Sequence, residues 1–583
     1  MENNLIHHFL ENSAARHPDK VAIIHEKTRA TYRQVNKDSD RLASFLVGRR
    51  VEKGDRVVIL MENSVEYVTA YYGILKAGAV AVPLGTDLKP DGLIPLLAEL
   101  EPAAIITSAR FERLLQASDL SVPNLDTLII HNPKFDWDNC GIDVYSFQQT
   151  TNHKPQTTNQ SNNNWNKNSE FRSQNSESAI QELNKRNEPI QPTTNNPQPT
   201  NSNDIELEAV SVSSSDLGSI IYTSGSTGKP KGVMLTHGNI VANTHSICEY
   251  LQLTDSDIQM VVLPFFYVMG KSLLNTIVAA GGTLVINNKF AFPATVINQM
   301  IEERVTVFSG VPSTYAYLLH RSPLKKSRPR LSHLRMVTQA GGHMARSVKT
   351  ALRETLPGHT RICIMYGATE ASARLTWLDP DRFEQKIDSI GKGIPGVTVK
   401  ILDDQGFELP QGAKGEVVAS GPNIMQGYWR DPAASSQALD GNGYHTGDVG
   451  FKDADGFIFL QGRKDNLIKV GGHRINPQEV EDALLATGLA VEASVVGVDD
   501  DLLGKRLAAL VVPLNGDTSP EAIMENCASM LPKYKMPAEL RFVRALPKNA
   551  NGKVDRNGCL KFFTAESQST QRGRFFKGYA QKI

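Results

Sequence analysis

At 583 residues the chain exceeds what one hydrophobic core ordinarily serves, so two or more domains are expected. Lys plus Arg and Asp plus Glu both number 62, a formal net charge of zero, which removes any global electrostatic case for nucleic acid or an anionic membrane and leaves a small molecule as the expected partner. The five cysteines, Cys140, Cys248, Cys363, Cys527 and Cys559, are scattered without a C-x-x-C pair, which argues against zinc or redox work and fits plain thiols in a reducing cytoplasm.

The first twenty residues, MENNLIHHFLENSAARHPDK, carry acidic and polar groups where a secretory signal needs a basic end and an unbroken apolar run, so no export is expected. Val57 to Leu60 then reads as a buried strand, and Ser64 caps a helix whose apolar residues Val65, Val68, Tyr72 and Leu75 recur at helical spacing. Gly78 closes that helix, and Ala79 to Val82 resumes a strand. This strand, helix, strand alternation predicts α/β layers around a mostly parallel sheet. Between Phe147 and about Asp204 the composition turns to Asn, Gln, Thr, Ser and Pro, too poor in apolar surface to offset its conformational entropy. It reads as a disordered insertion, with the patterns on either side belonging to one sheet system.

Ser219 to Tyr222 is a short apolar strand that runs into a loop rich in glycine and hydroxyls. Thr223, Ser224, Ser226 and Thr227 offer four hydroxyls to phosphate oxygens, Gly225 and Gly228 let backbone N–H groups turn toward an anion, and Lys229 and Lys231 add charge. Two residues separate Gly225 from Gly228 and Pro230 follows Lys229, so this is neither a GxxxxGK[ST] P-loop nor a GxGxxG turn. Val233 to Leu235 follows, and Thr236 caps the next helix. The apolar run from Val261 to Gly270 falls far short of the ~20 residues of a membrane-spanning helix. From Asp448 onward the pattern shortens into strands and compact helices: Asn476, Pro477 and Glu479 predict an N-cap, a first-turn proline and a capping box, and Ala493 to Val498 and Leu507 to Val512 read as strands.

The segment YTSGSTGKPKGVMLTHGNI resembles the phosphate-loop motif of the adenylate-forming superfamily, which includes acyl-CoA synthetases, adenylation domains of peptide synthetases and luciferases. Further motifs follow in the order of that superfamily: Tyr366-Gly367-Ala368-Thr369-Glu370, Tyr444 to Asp448, Gly462 to Asp465 running on to Gly472, and Leu546 to Lys553. The resemblance implies a large N-terminal α/β domain of layered sheets, residues 1–464, and a small, mobile α+β C-terminal domain, residues 465–583. It implies activation of a carboxylic acid by ATP as acyl-AMP, with pyrophosphate released, followed by transfer to a thiol.

Residue roles follow from the same resemblance. Glu370 would hold Mg2+, Thr369 would donate to the α-phosphate, and Tyr366, Gly367, Ala368 and Gly341 would lie along the nucleotide. Asp448 would accept from both ribose hydroxyls, with Arg463 near the ribose. Lys553 would bridge acid and α-phosphate, Asp465 would be the hinge, and Gly471 and Gly472 would line the thiol channel.

The acid pocket is expected along Phe266 to Lys271, Pro312 to Thr314, Gly341 to Met344 and the run after Glu370, with Tyr267, Val268 and Gly342 as its named walls. Val268 stands where amino-acid-activating relatives place an aspartate, and a buried ammonium without a carboxylate is unfavourable, so amino acids are disfavoured. Tyr267 stands where many acyl-CoA synthetases have histidine; Lys271 either faces the pocket, where it would prefer a second acidic group on the substrate, or points to solvent, and solvent is the favoured expectation. An aliphatic or otherwise apolar acid with CoA as acceptor is the leading expectation. A stand-alone enzyme that loads the phosphopantetheine of a carrier protein is the rival, and an inactive nucleotide-binding scaffold is the alternative outside catalysis.

Overall fold

The computed structural model describes residues 4–137, 141–152, 210–223, 230–464, 466–549 and 553–564, and the backbone of 575–577. The expected Asn-rich insertion therefore lies almost wholly outside the described residues. Its proposed first residues are an exception, because Phe147–Asn152 is a helix with Phe147 buried in the core.

Two large sheets carry the site. One runs, edge to edge, through Lys392–Gly393, Thr376–Leu378, Arg361–Tyr366, Met336–Gln339, Val307–Gly310, Ile258–Val261, Thr283–Ile286, Val21–His25 and Thr28–Thr31, with its interior strands parallel and its edges antiparallel. The other runs from Gly427–Tyr428 through Lys231–Thr236, Leu217–Thr223, Val80–Pro83, Arg56–Leu60, Ala104–Ser108 and Thr127–His131 to Asp143–Ser146. Strands on both sides of the Asn-rich segment, Asp143–Ser146 and Leu217–Thr223, thus belong to one sheet, as their patterns predict. Val57, Val58, Ile59 and Leu60 are all fully enclosed, which is why that strand reads as a continuous apolar run rather than an alternation.

The helix Val65–Lys76 begins where expected, with Ser64 Oγ accepting the Tyr67 N–H at 3.0 Å. It packs in a core shared by both sheets, together with the helix Val268–Ala280. A second core covers the opposite face of the first sheet through Met260, Val285, Phe308 and Ile362.

Thr398–Leu402, Gly415–Ser420, Gly443–Lys452 and Ile458–Arg463 form most of an antiparallel sheet that carries Asp448. Beyond it, Ala490–Asp500 and Gly504–Pro513 make a long hairpin with its own cores, one facing the helix Pro477–Ala486 and one containing Cys559, Phe563 and Ala316. Asn476 caps that helix as expected, its Oδ1 accepting from Gln478 N at 3.1 Å. The capping box is not formed: the Glu479 carboxylate instead reaches Lys535 Nζ at 2.6 Å, a charged partner that outcompetes a backbone N–H. Among the described residues no helix is long and apolar enough to cross a membrane.

Candidate active site

The strands Leu217–Thr223 and Lys231–Thr236 pair antiparallel with Thr223 opposite Lys231, so they form a hairpin whose connecting sequence is rich in glycine and hydroxyls. Ser224, Gly225, Ser226, Thr227, Gly228 and Lys229 lie outside the described residues; Thr223 and Lys231, at its two feet, border a cleft of 2610 Å³. Thr236 then caps the helix His237–Leu251 in a capping box with Asn239, which fixes the hairpin against the core.

Facing Lys231 is Tyr428, whose ring centroid lies 4.9 Å from the ammonium and whose hydroxyl donates to Glu370 Oε1 at 2.8 Å. Burial, then the Glu370 carboxylate, raise the Tyr428 pKa, so the phenol stays a donor. Glu370 sits on a single turn, Thr369–Ala371, at the end of the parallel strand Arg361–Tyr366, the strand end at which open α/β sheets present ligands. Gly367 is required by close packing: a Cβ there would stand 2.0 Å from the Ala373 carbonyl oxygen.

Across the cleft, Tyr366 donates its hydroxyl to Asp448 Oδ2, and burial first, then Asp448, hold that phenol protonated. Arg463, opposite Asp448 in the next strand, brings Nη1 to 3.7 Å from Oδ1. Gly447 adopts φ +72°, and a Cβ there would meet Arg463 Nη2 at 2.9 Å.

The C-terminal elements close the cleft. Asn549 and Lys553 are tied to each other, the Asn549 side chain accepting the Lys553 N–H at 3.1 Å and the Asn549 N–H donating to the Lys553 carbonyl at 2.9 Å. Lys553 Nζ then lies 5.6 Å from the centre of the Tyr267 ring. His343 and Asp482, 3.0 Å apart, and Lys548 over Tyr317 tie the same elements to the larger part of the chain.

The profile of the AMP-binding enzyme family matches residues 10–429, and that of the AMP-binding enzyme C-terminal domain matches residues 479–553. The chain belongs to this family. It is an AMP-forming, adenylate-forming ligase. The 2-succinylbenzoate–CoA ligase of Bacillus cereus (strain AH820) is 30% identical, covering 94% of this chain and 96% of that protein. The long-chain-fatty-acid–CoA ligase of Bacillus subtilis (strain 168) is 28% identical, covering 96% and 95%. The anthranilate CoA ligase AuaEII, solved with anthranoyl-AMP, superposes with a TM-score of 0.80 at 25% identity, covering 96% of this chain and 97% of that one. The layered α/β architecture with its small C-terminal part is the architecture of the adenylate-forming enzymes.

For a ligase of this family, the cleft gathers most of the residues singled out from sequence: Thr223, Lys231, Tyr366 to Glu370, Asp448, Arg463, Lys553, Tyr267, Gly341 and Gly342. Val268 does not border it; it begins the helix Val268–Ala280 and is buried. Gly471 and Gly472 form the tight turn between Ile468–Val470 and His473–Ile475, at φ +51° and +85°, and do not border the cleft either. Asp465 lies outside the described residues; its neighbour Lys464 is held by Glu416 and Asp404, each at 3.1 Å.

The expectation for Lys271 is overturned. Its side chain is 2% exposed, its Nζ lies 2.8 Å from Tyr67 Oη and 3.7 Å from the Tyr71 ring centre, and burial holds its pKa well below that of an ordinary lysine. The aromatic cage of Val65–Lys76 takes the ammonium inward, away from solvent.

Sequence reasoning missed Tyr428, and it covered Arg374 only as an unnamed member of the run after Glu370. Tyr428 sits in Gln426-Gly427-Tyr428-Trp429, where nothing local announces a hydrogen bond to Glu370, and Arg374 has the same spelling as any surface arginine.

Proposed function

We propose that the protein activates an organic acid with ATP as acyl-AMP, releasing pyrophosphate, and passes the acyl group to the thiol of CoA. One observation carries this reading: the feet of the phosphate hairpin, the Tyr366–Glu370 turn, Asp448 and Lys553 converge on a single cleft although they are spread over more than half of the chain.

In the first half-reaction the acid's oxygen attacks the α-phosphorus and pyrophosphate departs, so negative charge builds on both sides of the phosphorus. The loop between Thr223 and Lys231 takes the β- and γ-phosphates with its backbone and hydroxyls. Thr369 donates to the α-phosphate, and Asp448, oriented by the Tyr366 hydroxyl, accepts from the ribose hydroxyls. Lys553 places an ammonium between acid and α-phosphate and keeps water from the reacting pair.

Glu370 offers a carboxylate that would hold a magnesium ion, a metal usually bound by one or two carboxylates together with phosphate oxygens and water. The Tyr428 hydroxyl on Oε1 fixes the carboxylate in place. Such an ion would neutralise charge on the departing pyrophosphate.

The second half-reaction needs Lys553 out of the way and a thiol in its place. A rotation about Asp465 of residues 465–583, connected to residues 1–464 through that hinge, supplies both. The thiol then attacks the acyl carbonyl and AMP leaves. The acid has an apolar or aryl body, which suits the Tyr267 ring and the small Gly341 and Gly342 on the border of the cleft.

Lys553→Ala separates the two steps. Acyl-AMP formation, read as pyrophosphate release with ATP, magnesium and a mixed acid panel, should fall on the order of a thousandfold. Thioester formation from supplied acyl-AMP and CoA should stay within about twofold. Equal loss of both would remove Lys553 from the role given to it, and cleavage of ATP to ADP would remove the function.

A further inference from the structure

Arg374 is the largest fully buried side chain that the structure describes, at 2% exposure. No counter-charge accompanies it: among the described residues no carboxylate lies within 4.0 Å of the guanidinium. Nη1 donates to the carbonyl of the adjoining Ala373 at 3.2 Å, and Nε has no hydrogen-bond partner. The titratable groups that face it are Tyr250, Tyr267 and Cys363, all neutral donors or weak acceptors. An arginine in such a place is strongly unfavourable unless something anionic joins it.

The backbone at Arg374 is held as a built site would be. Its carbonyl accepts from two buried amides, Asn243 Nδ2 and Asn423 Nδ2, both at 2.9 Å. Ahead of it, Ser372 and Ala373 take φ +56° and +128°, angles that residues with a Cβ rarely adopt and that persist where the surroundings over-determine them. Gly367 makes room, since a Cβ there would lie 2.7 Å from Arg374 Cα.

Position gives the arginine a use. It lies four residues after Glu370 and within electrostatic reach of Tyr267, a residue that borders the cleft as Met365 does, whereas Arg374 itself does not. The Tyr267 ring carries Lys553 on its open face, and its hydroxyl comes within 3.3 Å of where a Cβ on Gly341 would stand. Lys271, the other buried cation nearby, is already satisfied by Tyr67 and Tyr71.

We propose that the acid is a dicarboxylate: its reacting carboxylate lies beneath Lys553, and its second carboxylate pairs with Arg374 once the Tyr267 side chain turns aside. This deepens the function proposed above and rests on it. A bidentate carboxylate would give Nε and a terminal nitrogen their missing acceptors and neutralise the buried charge. A matched acid that ends in a methyl or an ester would leave the guanidinium unpaired.

The test is a panel of linear and aryl dicarboxylates, each beside its mono-ester and the monocarboxylate of equal length, scored by pyrophosphate release and by mass of the acyl-AMP. The wild type should show kcat/KM for the best diacid on the order of a hundredfold above its mono-ester. Arg374→Met should abolish that preference while the matched monoacid holds or gains, and Arg374→Lys should keep part of it. Preference of the wild type for the monoacid or ester, or an equal loss for every acid in Arg374→Met, overturns the proposal while leaving the ligase function intact. Should Arg374→Met fail to fold, the wild-type panel alone decides. Silence across the whole panel overturns the ligase function as well.

Discussion

On the side of the cleft proposed for the nucleotide, Thr223, Thr369 and Glu370 stand at a strand end and a turn, Asp448 lies within the strand Gly443–Lys452, and Glu370 and Asp448 are met by the polar groups of Tyr428 and Tyr366. On the side proposed for the acid, Tyr267 and Arg374 are both buried, and Arg374 Nε has no hydrogen-bond partner. On the function proposed above, the first side presents groups to a ligand whose charges are fixed by chemistry, the polyphosphate and ribose of ATP. The second waits for a ligand that differs from one enzyme to the next. Substitution on the nucleotide side should therefore change the rate for every acid, and substitution on the acid side should change which acid is chosen.

The largest effect that can break this comparison belongs to Asp448→Asn. The amide keeps the volume but exchanges a two-oxygen acceptor for one that can accept only on one side, and it removes the charge that holds the Tyr366 hydroxyl. Loss of charged hydrogen bonds at about 1.5–3 kcal/mol each predicts a fall of at least about a hundredfold in kcat/KM for ATP. The same factor should appear for every acid tested; a factor that varies with the acid would place Asp448 outside the nucleotide side.

Next in size is Gly367→Ala. The added Cβ would overlap the Ala373 carbonyl oxygen at 2.0 Å and press on Arg374 Cα at 2.7 Å, and both are backbone atoms that cannot swing away. A loss of about 3 kcal/mol of stability is expected by chemical denaturation. Because the shift passes through Ala373 into Arg374, this is the one nucleotide-side change that should also disturb acid choice.

The same division explains what could be read from the sequence. Strand Arg56–Leu60, the Ser64 cap, the hairpin that carries the phosphate loop and the Asn476 cap depend on local pattern, and each is where its residues predict it. The grouping of Thr223, Tyr366 to Glu370 and Asp448 around one cleft was legible for a related reason: these residues come in runs whose composition suggests a chemistry. Lys271 and Arg374 were not, because their identity says nothing about whether the fold turns them outward or seals them in. Lys271 follows Tyr267 by one helical turn, and only the packing of Val65–Lys76 against Val268–Ala280 decides that its ammonium meets Tyr67 and Tyr71. The Glu479 capping box failed for the same kind of reason, since Lys535 comes from a remote segment.

Lys271→Met sharpens the comparison from the acid side. A buried lysine without a carboxylate is a net burden, and an apolar side chain of similar length should raise stability by about 2 kcal/mol at pH 7. The pH dependence has a definite sign. The folded pKa lies below the unfolded one, so between the two the unfolded chain binds more protons, and wild-type stability rises as pH climbs from neutrality toward pH 10. The variant should lack that slope, so its advantage in melting temperature should shrink at alkaline pH. Acid choice should not change, because the ammonium faces Tyr67 and Tyr71 rather than the cleft; a changed acid profile would make Lys271 part of the pocket.

The smallest expected effect tests whether Tyr428 acts on ATP through its hydroxyl or through its ring. Tyr428→Phe removes the 2.8 Å hydrogen bond to Glu370 and keeps the aromatic face 4.9 Å from Lys231. A hydrogen bond to a carboxylate that water can partly replace contributes about 1 kcal/mol, which corresponds to roughly a fivefold rise in the magnesium concentration for half-maximal pyrophosphate release. Tyr428→Leu removes the ring as well and should add a comparable loss, read in KM for ATP because Lys231 then loses its cation–π contact. If Tyr428→Phe leaves the magnesium dependence untouched while Tyr428→Leu raises KM for ATP, the hydroxyl is idle and Glu370 is positioned by the backbone alone, through the bond from Met425 N to its carbonyl at 2.9 Å.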